Sequence, residues 1–169
     1  MAASFGAEAV GGLEIGGPLL SQLVVSQPEN AGLAGFTVRK GAKDHGTKDI
    51  FAEAYAGDAD LLRPDRPVAM LEDVVTSGGS IRTAIKAVQG LGCEIVLSFA
   101  LVDRMDPRGA WLRDDPSLNF IALCELQPDG TLKLSQRFLD WCAGSSEGPG
   151  EATATRPRAA AGAGVAAQT

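Results

Sequence analysis

Apolar residues in this chain are grouped in short uninterrupted runs, separated by segments in which apolar positions recur with helical spacing. The runs predict strands at residues 7–13, 33–40, 67–72, 93–102 and 118–126. Strands that are apolar on both faces fit the interior of a parallel sheet whose faces are covered by helices. The alternation of strands and helices therefore predicts an α/β fold, with a central, mainly parallel sheet flanked by helices on both faces.

Helical segments are predicted between and after these strands. Pro18 suits the first turn of a helix that continues over residues 19–27. Ser80 is the predicted N-cap of a second helix, and Gly92 suits its C-terminal end. An apolar stripe along this second helix is formed by Ile81, Ala84, Ile85 and Val88. A last short helix is predicted over residues 134–142.

The composition of the chain changes after residue 142. Residues 1–142 contain all of the predicted elements and have enough apolar content for one domain with its own core. Residues 143–169 are rich in Ala, Gly and Pro and show no periodicity. This tail is predicted to be disordered, because it lacks the apolar content needed to order itself.

Charge and cysteine content narrow the class of protein. The formal net charge of −6 argues against binding of nucleic acid, which needs many Lys and Arg side chains at phosphates. The cysteines are too widely spaced for Cys-x-x-Cys metal ligands, and Cys93 and Cys124 are expected to be small core residues. No basic residue precedes Arg39, and no apolar run reaches membrane-spanning length. We therefore expect a soluble, cytoplasmic protein that does not bind a membrane.

Candidate chemistry is concentrated in the segment RPVAMLEDVVTSGGSIRTAIKAVQGLG, residues 66–92. Glu72 and Asp73 end an apolar run, and residues 76–80, Thr-Ser-Gly-Gly-Ser, lead into the predicted helix. Ligands of open α/β sheets bind beyond the carboxyl ends of the strands. Free amides at a helix N-terminus bind phosphate, and glycines let the backbone close around it. The segment therefore predicts a phosphate site.

The two carboxylates need a partner other than that phosphate, because like charges repel. Vicinal sugar hydroxyls fit, since a carboxylate accepts strong hydrogen bonds from them. A sugar phosphate suits the whole segment, and the acids would also stabilise an oxocarbenium-like sugar in a transition state. The alternative is an ordinary strand–turn–helix junction with exposed acids. Neither G-x-x-x-x-G-K-[ST] nor a G-x-G-x-x-G that follows a strand occurs in the chain.

A second candidate segment, residues 39–48, is strongly cationic for so acidic a chain. Its basic side chains and the only histidine are Arg39, Lys40, Lys43, His45 and Lys48. Gly41 and Gly46 predict a mobile loop. A mobile cationic loop suits a lid that closes over a polyanion and excludes water. The alternative is a solvated loop with an ordinary surface histidine.

The string VAMLEDVVTSGGSI resembles the phosphoribosyl-diphosphate signature of the type I phosphoribosyltransferases. The resemblance implies an α/β core and transfer of phosphoribose from phosphoribosyl diphosphate (PRPP) to a nitrogenous base, with Mg²⁺ and loss of diphosphate. It also implies that the signature binds PRPP through Glu72, Asp73, Val74, Val75, Thr76, Ser77, Gly78, Gly79 and Ser80. Mg²⁺ would be carried by PRPP without a direct protein ligand, and Glu72 and Asp73 would be outer partners or occasional ligands.

The string RKGAKDHGTK is similar to the catalytic loop of orotate phosphoribosyltransferases. By this resemblance Arg39, Lys40, Lys43 and His45 contact PRPP. Lys43 would stabilise the departing diphosphate with help from His45, so the implied catalytic residues are Lys43, His45, Glu72 and Asp73. The family's loop closes over the neighbouring subunit, which implies a homodimer that shares loop 39–48 across its interface.

Two further strings support the orotate interpretation. FALVDR, residues 99–104, resembles a family strand that ends in an Asp-Arg pair, and it implies that Arg104 binds orotate together with Thr76. An arginine suits orotate, which is a planar anion. GGLEIGGPLL, residues 11–20, resembles the family loop whose backbone touches diphosphate, with Glu14 and Ile15 at those positions. Some relatives have a lysine in place of Ile15.

The resemblance spans residues 7–142 and lacks the family's N-terminal hood over the base. No position here inherits the roles of the hood, which leaves loss, truncation or supply by another chain as explanations. The expected reaction is orotate plus PRPP to orotidine 5′-phosphate and diphosphate, in pyrimidine synthesis. The alternatives are a phosphoribosyltransferase for another base and a non-catalytic PRPP- or nucleotide-binding module. Outside these motifs, packing residues are expected at Tyr55, Trp111 and Trp141, and surface acids at Asp106, Asp114 and Asp115.

Overall fold

A computed structural model describes residues 1–41, 51–52 and 61–146. These residues form a seven-stranded sheet. In chain order its strands are β1 Ala9–Leu13, β2 Ala34–Val38, β3 Phe51–Ala52, β4 Pro67–Val75, β5 Glu94–Asp103, β6 Phe120–Leu126 and β7 Leu132–Leu134. The helices are α1 Gly16–Val25, α2 Gly79–Gly90, α3 Ala110–Asp114 and α4 Gln136–Ser146.

The strand order is β3-β2-β1-β4-β5-β6-β7. The five inner strands run parallel, and β3 and β7 pair antiparallel at the two edges. This order places the carboxyl ends of β1, β4 and β5 side by side, along the edge of the sheet where the inner strands end. The topology confirms the predicted α/β fold, and it defines the edge at which a ligand site is expected.

Helices cover both faces of the sheet, as predicted. On one face the apolar stripe of α2 packs with Phe36, Val68 and Met70, and Leu112 of α3 joins the same core. On the other face Leu20 and Val24 of α1 and Phe138 and Trp141 of α4 pack around a second core, whose buried residues are Ala7, Val10, Ala69, Leu71, Leu97 and Ile121. Burial of apolar side chains on both faces of the inner strands stabilises the layered fold.

The start of α1 is unusually close to the sheet because two glycines, Gly12 and Gly17, meet there. A Cβ on Gly12 would lie 2.1 Å from the carbonyl oxygen of Leu71, and a Cβ on Gly17 would lie 2.5 Å from Cα of Gly12. The helix begins at Gly16, two residues before Pro18, which was predicted to lie in its first turn. Glycine at these positions thus allows α1 to begin directly at the end of β1.

Two predictions near the phosphate segment are wrong. Strand β4 continues past residue 72, because Val74 and Val75 pair with Val102 and Asp103 of β5. The N-cap of α2 is Gly78 in a left-handed conformation (φ 75°), so Ser80 already lies within the first helical turn. The acids therefore belong to the strand, and the turn to the helix is shorter than expected.

The C-terminal boundaries also differ from the prediction. Leu134 belongs to β7, which pairs with β6, and α4 follows because the hydroxyl of Ser135 accepts a hydrogen bond from the amide of Phe138 at 3.1 Å. The helix ends at Ser146, so residues 143–146 of the predicted tail are helical. Residues 147–169 lie outside the described part of the chain. Cys93 is buried as predicted, whereas Cys124 is half-buried.

Candidate functional site

The turn between β4 and α2 forms a polar cavity of about 180 Å³. It is lined by Glu72 and by residues 74–81. Gly78 supplies the left-handed conformation that joins strand to helix. The amides of the first turn of α2 have no partner within the helix and lie at the positive end of its dipole. The cavity therefore has the size and the donors for a phosphate group.

This turn is supported from one side by the segment around α3. The indole N–H of Trp111 donates to the carbonyl of Ser77 at 3.0 Å. A Cβ on Gly78 would lie 2.8 Å from Cζ2 of Trp111, and a Cβ on Gly109 would lie 2.7 Å from the carbonyl oxygen of Thr76. The guanidinium of Arg82 lies 4.0 Å from the centre of the indole ring. The phosphate turn is therefore held by contacts that are distant in sequence.

Glu72 is a buried acid at the edge of the cavity. Its side chain is only 5% exposed, and its Oε2 atom has no hydrogen-bond partner among the described residues. Oε1 accepts the amide N–H of Asp73 at 3.2 Å. Burial raises the pKa of Glu72 to about 7, with a further contribution from the neighbouring Asp73 carboxyl. An acid with an unpartnered oxygen at the mouth of a phosphate cavity is suited to accept a hydrogen bond from a ligand.

Asp73 is exposed and points away from that interior. A Cβ on Gly16 would lie 2.6 Å from Cγ of Asp73, so the carboxyl group lies against the first residue of α1. Its Oδ1 atom accepts the amide N–H of Val74 at 2.7 Å. The partial positive charge of the helix N-terminus attracts the carboxylate. The absence of a side chain at Gly16 thus fixes where the Asp73 carboxylate lies.

The turn between β1 and α1 lies next to the end of β2. The amide N–H of Lys40 donates to Oε1 of Glu14 at 2.7 Å, and the amide of Glu14 donates to the carbonyl of Val38 at 2.9 Å. The Glu14–Ile15 peptide bond is cis. Ile15 is 73% exposed, Lys40 is exposed and Arg39 is half-buried. The predicted diphosphate turn and the start of the cationic segment are therefore neighbours.

Arg104 follows β5 at the same edge of the sheet. Its amide donates to the carbonyl of Val75 at 2.8 Å, so Thr76 and Arg104 lie on adjacent segments. Arg104 lines a separate open groove of about 470 Å³ with Met105, Glu125, Leu126, Gln127 and Pro128. The groove does not share any lining residue with the phosphate cavity. The structure thus provides two adjacent recesses, one suited to a phosphate and one bearing a cation.

The segment that carries Arg104 is held by a buried ion pair. The guanidinium of Arg113 lies 3.1 Å from Oδ2 of Asp103, whose side chain is 2% exposed. Arg113 also donates to the carbonyl of Asp106 at 2.6 Å, and the amide of Met105 donates to Asp103 at 2.8 Å. These bonds fix the backbone on both sides of Arg104.

The predicted site residues fall into three groups. Residues 72–80 surround or adjoin the phosphate cavity, and Glu14, Ile15, Arg39, Lys40 and Arg104 lie at the ends of neighbouring strands. Lys43 and His45 lie outside the described residues, as do Lys48 and Tyr55. The predicted surface acids Asp106 and Asp115 also accept backbone N–H groups at the starts of short turns, at 2.8 Å from Arg108 and 2.9 Å from Ser117.

Sequence reasoning missed the contribution of Trp111, Arg113 and Gly16. Trp111 packs against the core as predicted, and in addition it hydrogen-bonds a phosphate-turn residue 34 positions earlier in the chain. The strong signal near Gly16 was the pair Gly16-Gly17 directly after a predicted strand, which is typical of close backbone approach. No local signal predicts the partner of either Trp111 or Arg113.

The structure contains no cluster of three or more His, Cys, Asp or Glu side chains that could hold a metal ion within residues 1–41, 51–52 and 61–146. Over those same ranges, none of the helices combines the length and the apolar character needed to cross a membrane.

Comparison with known proteins connects this geometry to one group of enzymes. No protein-family model matches the chain. It is 39% identical over 119 residues, 69% of its length, to an orotate phosphoribosyltransferase of Sorangium cellulosum, and it covers 59% of that relative. The chain thus spans about three-fifths of the length of this relative.

Solved structures give the same result. Mycobacterium tuberculosis orotate phosphoribosyltransferase in complex with Fe(III) dicitrate matches with a TM-score of 0.60 and 28% identity, over 74% of this chain and 66% of that one. The same enzyme in complex with PRPP matches with a TM-score of 0.58 and 25% identity, over 74% and 66%. The chain is therefore a homologue of the orotate phosphoribosyltransferases and has the type I phosphoribosyltransferase fold.

Proposed function

We propose that this chain transfers phosphoribose from PRPP to orotate, giving orotidine 5′-phosphate and diphosphate in pyrimidine biosynthesis. The observation that carries the proposal is the junction of β4 with α2. There a phosphate-sized cavity lies directly beside a buried acid with an unpartnered oxygen and a second, exposed acid. Similarity to orotate phosphoribosyltransferases, one of them solved with PRPP, supports the choice of substrate.

The proposed binding mode follows from the charges at the sheet edge. The 5-phosphate of PRPP occupies the cavity formed by Thr76 to Ser80, where the amides of α2 are free. The ribose hydroxyls donate to Glu72, which lines that cavity, and to Asp73, the next residue of β4. The diphosphate lies toward the Glu14–Ile15 turn, next to Arg39 and Lys40. Lys43 and His45 complete its binding from the cationic loop.

The chemistry of this arrangement is electrostatic. As the bond from the anomeric carbon to diphosphate breaks, positive charge develops on the ribose ring, and the carboxylates at 72 and 73 stabilise it. Lys43 stabilises the negative charge on the departing diphosphate, and a nitrogen of orotate then forms the new bond. No covalent enzyme intermediate is needed, so positioning and charge stabilisation supply the catalysis.

Mg²⁺ is proposed as the cofactor, carried to the site by PRPP. The donor set fits this mode, because two adjacent carboxylates, Glu72 and Asp73, lie at the end of β4. When bound, Mg²⁺ neutralises part of the charge of the diphosphate. Glu72 and Asp73 would hold the metal through the ribose hydroxyls.

Arg104 is the proposed contact for the base. Its amide bonds to Val75, the residue before Thr76, and its groove carries a guanidinium suited to a planar anion. A phosphoribosyltransferase for a purine or for uracil is the alternative, and it has no need of a cation at this position. Competition between orotate, uracil and the purine bases in one turnover assay separates the two.

A homodimer that shares loop 39–48 between subunits is also proposed. An apolar stripe at the start of α1 and along it supports the dimer, because Ile15, just before the helix, and Leu19 and Leu23 are spaced four residues apart and are 73%, 62% and 62% exposed. Such a stripe beside the diphosphate turn suits a second copy of the chain. Sedimentation of the wild type and of Leu19→Asp measures whether this stripe holds the dimer.

Sharing of the loop has its own test. Chains with Lys43→Ala and chains with Asp73→Asn are each expected to be nearly inactive. If the loop acts on the neighbouring subunit, random mixing makes half of the dimers mixed, each with one intact site, and restores roughly a quarter of the wild-type activity. A mixture as inactive as its parts would refute the shared site.

A cytoplasmic location is also proposed for the chain. The free cysteines Cys93, Cys124 and Cys142 fit reducing surroundings.

The experiment that tests the proposed function is one assay with purified chain, Mg²⁺, PRPP and orotate, followed by loss of orotate absorbance. Turnover that requires all of the components supports the proposal. Turnover with another base alone would assign that base instead. Binding of PRPP without turnover of any base would leave a non-catalytic PRPP- or nucleotide-binding module.

A further inference from the structure

Trp111 is a side chain from a distant part of the sequence that hydrogen-bonds to the phosphate turn. Its indole N–H donates to the carbonyl of Ser77 at 3.0 Å, and its ring fills the space that a side chain at Gly78 would need. Ser77 and Gly78 both line the cavity, whereas Trp111 does not. The indole therefore contacts the outer side of the turn and leaves the ligand side open.

Arg82 covers the indole from the helix that the turn leads into. Its guanidinium carbon lies 4.0 Å from the ring centroid, which is a cation–π contact. The amide of Arg82 donates to the carbonyl of Gly78 at 2.9 Å in the first turn of α2. One aromatic ring thus links the last residues of the turn to the first turn of the helix whose amides face the ligand.

We propose that Trp111 is a positioning residue for phosphate binding, with Arg82 holding its indole in place. The proposal rests on the proposed function only in taking this cavity as the site of the 5-phosphate. Trp111 does not touch the ligand. It fixes the carbonyl of Ser77 and the left-handed conformation of Gly78, so that the amides of the turn are already arranged when phosphate arrives.

The energetic argument is one of preorganisation. A turn rich in glycine has many conformations, and only the fraction that is already arranged for binding contributes to affinity. The apparent dissociation constant rises in inverse proportion to that fraction. Loss of the indole bond should therefore weaken phosphate binding, whereas the turnover rate at saturating PRPP should change little because bound phosphate restores the turn.

Trp111→Phe is the direct test, since it keeps an aromatic ring for Arg82 and removes the N–H donor together with the fused part of the indole that lies beside Gly78. Ribose 5-phosphate binding, measured by calorimetry, should weaken roughly three- to tenfold, the range set by loss of one hydrogen bond. The KM for PRPP should rise by a similar factor, with kcat and the KM for orotate nearly unchanged. A purely structural role would move the melting temperature without this selective effect on phosphate.

Trp141→Phe is the matched control, because it makes the same change at the other tryptophan of the chain. Trp141 packs with Phe138 on the opposite face of the sheet. Its substitution should leave ribose 5-phosphate binding unchanged. In that variant Trp111 is the only tryptophan, and its fluorescence should change saturably with ribose 5-phosphate, at the affinity found by calorimetry.

The outcomes separate this inference from the proposed function. If the wild type fails to bind ribose 5-phosphate, the phosphate site itself is wrong and the proposed function fails with it. If the wild type binds and Trp111→Phe binds equally well, the positioning role is refuted and the proposed function stands. If Trp111→Phe fails to fold, the fluorescence titration decides, and an unchanged signal at saturating ribose 5-phosphate refutes the inference.

Discussion

The carboxyl group of Asp73 lies against the backbone of Gly16, with no room for a side chain between them. A Cβ on Gly16 would lie 2.6 Å from Cγ of Asp73 and 2.7 Å from its Oδ2. Asp73 belongs to the strand that leads into the phosphate turn, and Gly16 is the first residue of the helix after the diphosphate turn. The position of this acid therefore depends on a glycine 57 residues earlier in the sequence.

Gly16→Ala should impair PRPP use without destabilising the fold. The new methyl group would displace the end of an exposed side chain, which is free to move, while Ala stabilises a helix relative to Gly by up to about 1 kcal/mol. We expect an unchanged or slightly higher melting temperature and a kcat/KM for PRPP lowered at least tenfold. Calorimetry of unfolding and initial-rate kinetics on one preparation measure both.

Gly17→Ala is the control for this prediction. Its Cβ would lie 2.5 Å from Cα of Gly12, and backbone atoms there have no freedom to move away. This variant should lose stability by about 1–3 kcal/mol, as expected for overpacking. If Gly16→Ala also loses stability, or keeps full activity, the constraint on Asp73 is not the reason for the glycine.

Arg113→Leu should be strongly destabilising, although Arg113 lies on a short surface helix. It would leave the buried carboxylate of Asp103 without its ion-pair partner, which typically costs about 3–5 kcal/mol. Urea unfolding measures the loss. Adding Asp103→Asn to Arg113→Leu should recover part of it, because a neutral amide is less costly to bury than an unpaired charge. A double variant no more stable than Arg113→Leu would contradict the assignment.

Lys43→Ala tests the role that sequence resemblance gives to a residue outside the described structure. If Lys43 stabilises the departing diphosphate, kcat should fall about 100-fold or more, while PRPP affinity falls much less. Lys48→Ala in the same cationic segment is the matched control and should change kcat only slightly. An unchanged kcat in Lys43→Ala would reject the role.

The sequence predicted correctly those elements whose buried face is set by their own spacing of apolar residues. The stripe Ile81, Ala84, Ile85 and Val88 is buried as expected, because periodicity reports directly which face of a helix meets a core. The extension of β4 beyond residue 72 was missed because the apolar pattern alone set the predicted end of the strand. Two acids interrupt the apolar run, but the ladder to β5 continues through Val74 and Val75. A pattern of side chains does not reveal backbone pairing.

The phosphate site was predictable only in part. Its glycines and hydroxyls are contiguous, so local chemistry indicated an anion site near residues 76–80. The contacts of that site to Trp111 and Gly109 join segments about 30 residues apart and depend on how α3 packs. The burial of Glu72, which a polar residue in a strand does not signal, likewise follows from the surrounding layers.

Burial of Glu72 makes the stability of the folded chain depend on pH, and the direction of that dependence follows from its pKa. Its folded-state pKa is raised from 4.5 to about 7, mainly by burial, with opposing influences from Asp73, whose carboxyl raises it, and Lys40, whose charge lowers it. Below pH 4.5 the group is protonated in both folded and unfolded chains. Above about pH 7 it is ionised in both, and the folded chain bears the cost of the buried charge. The folded chain is therefore more stable while Glu72 is neutral, and this stability is lost as pH rises from 4.5 to about 7.

Glu72→Gln should remove this dependence, because glutamine has nearly the same shape and does not ionise. At about pH 8.5 the variant should be more stable than the wild type by up to about 3 kcal/mol, and near pH 4.5 the two should be nearly equal. Urea unfolding at both pH values measures the difference, with Glu29→Gln as the same substitution at an exposed position. The variant should also bind PRPP more weakly, since it loses a charge that accepts the ribose hydroxyls. A gain in stability of the same size at both pH values would contradict the assigned titration.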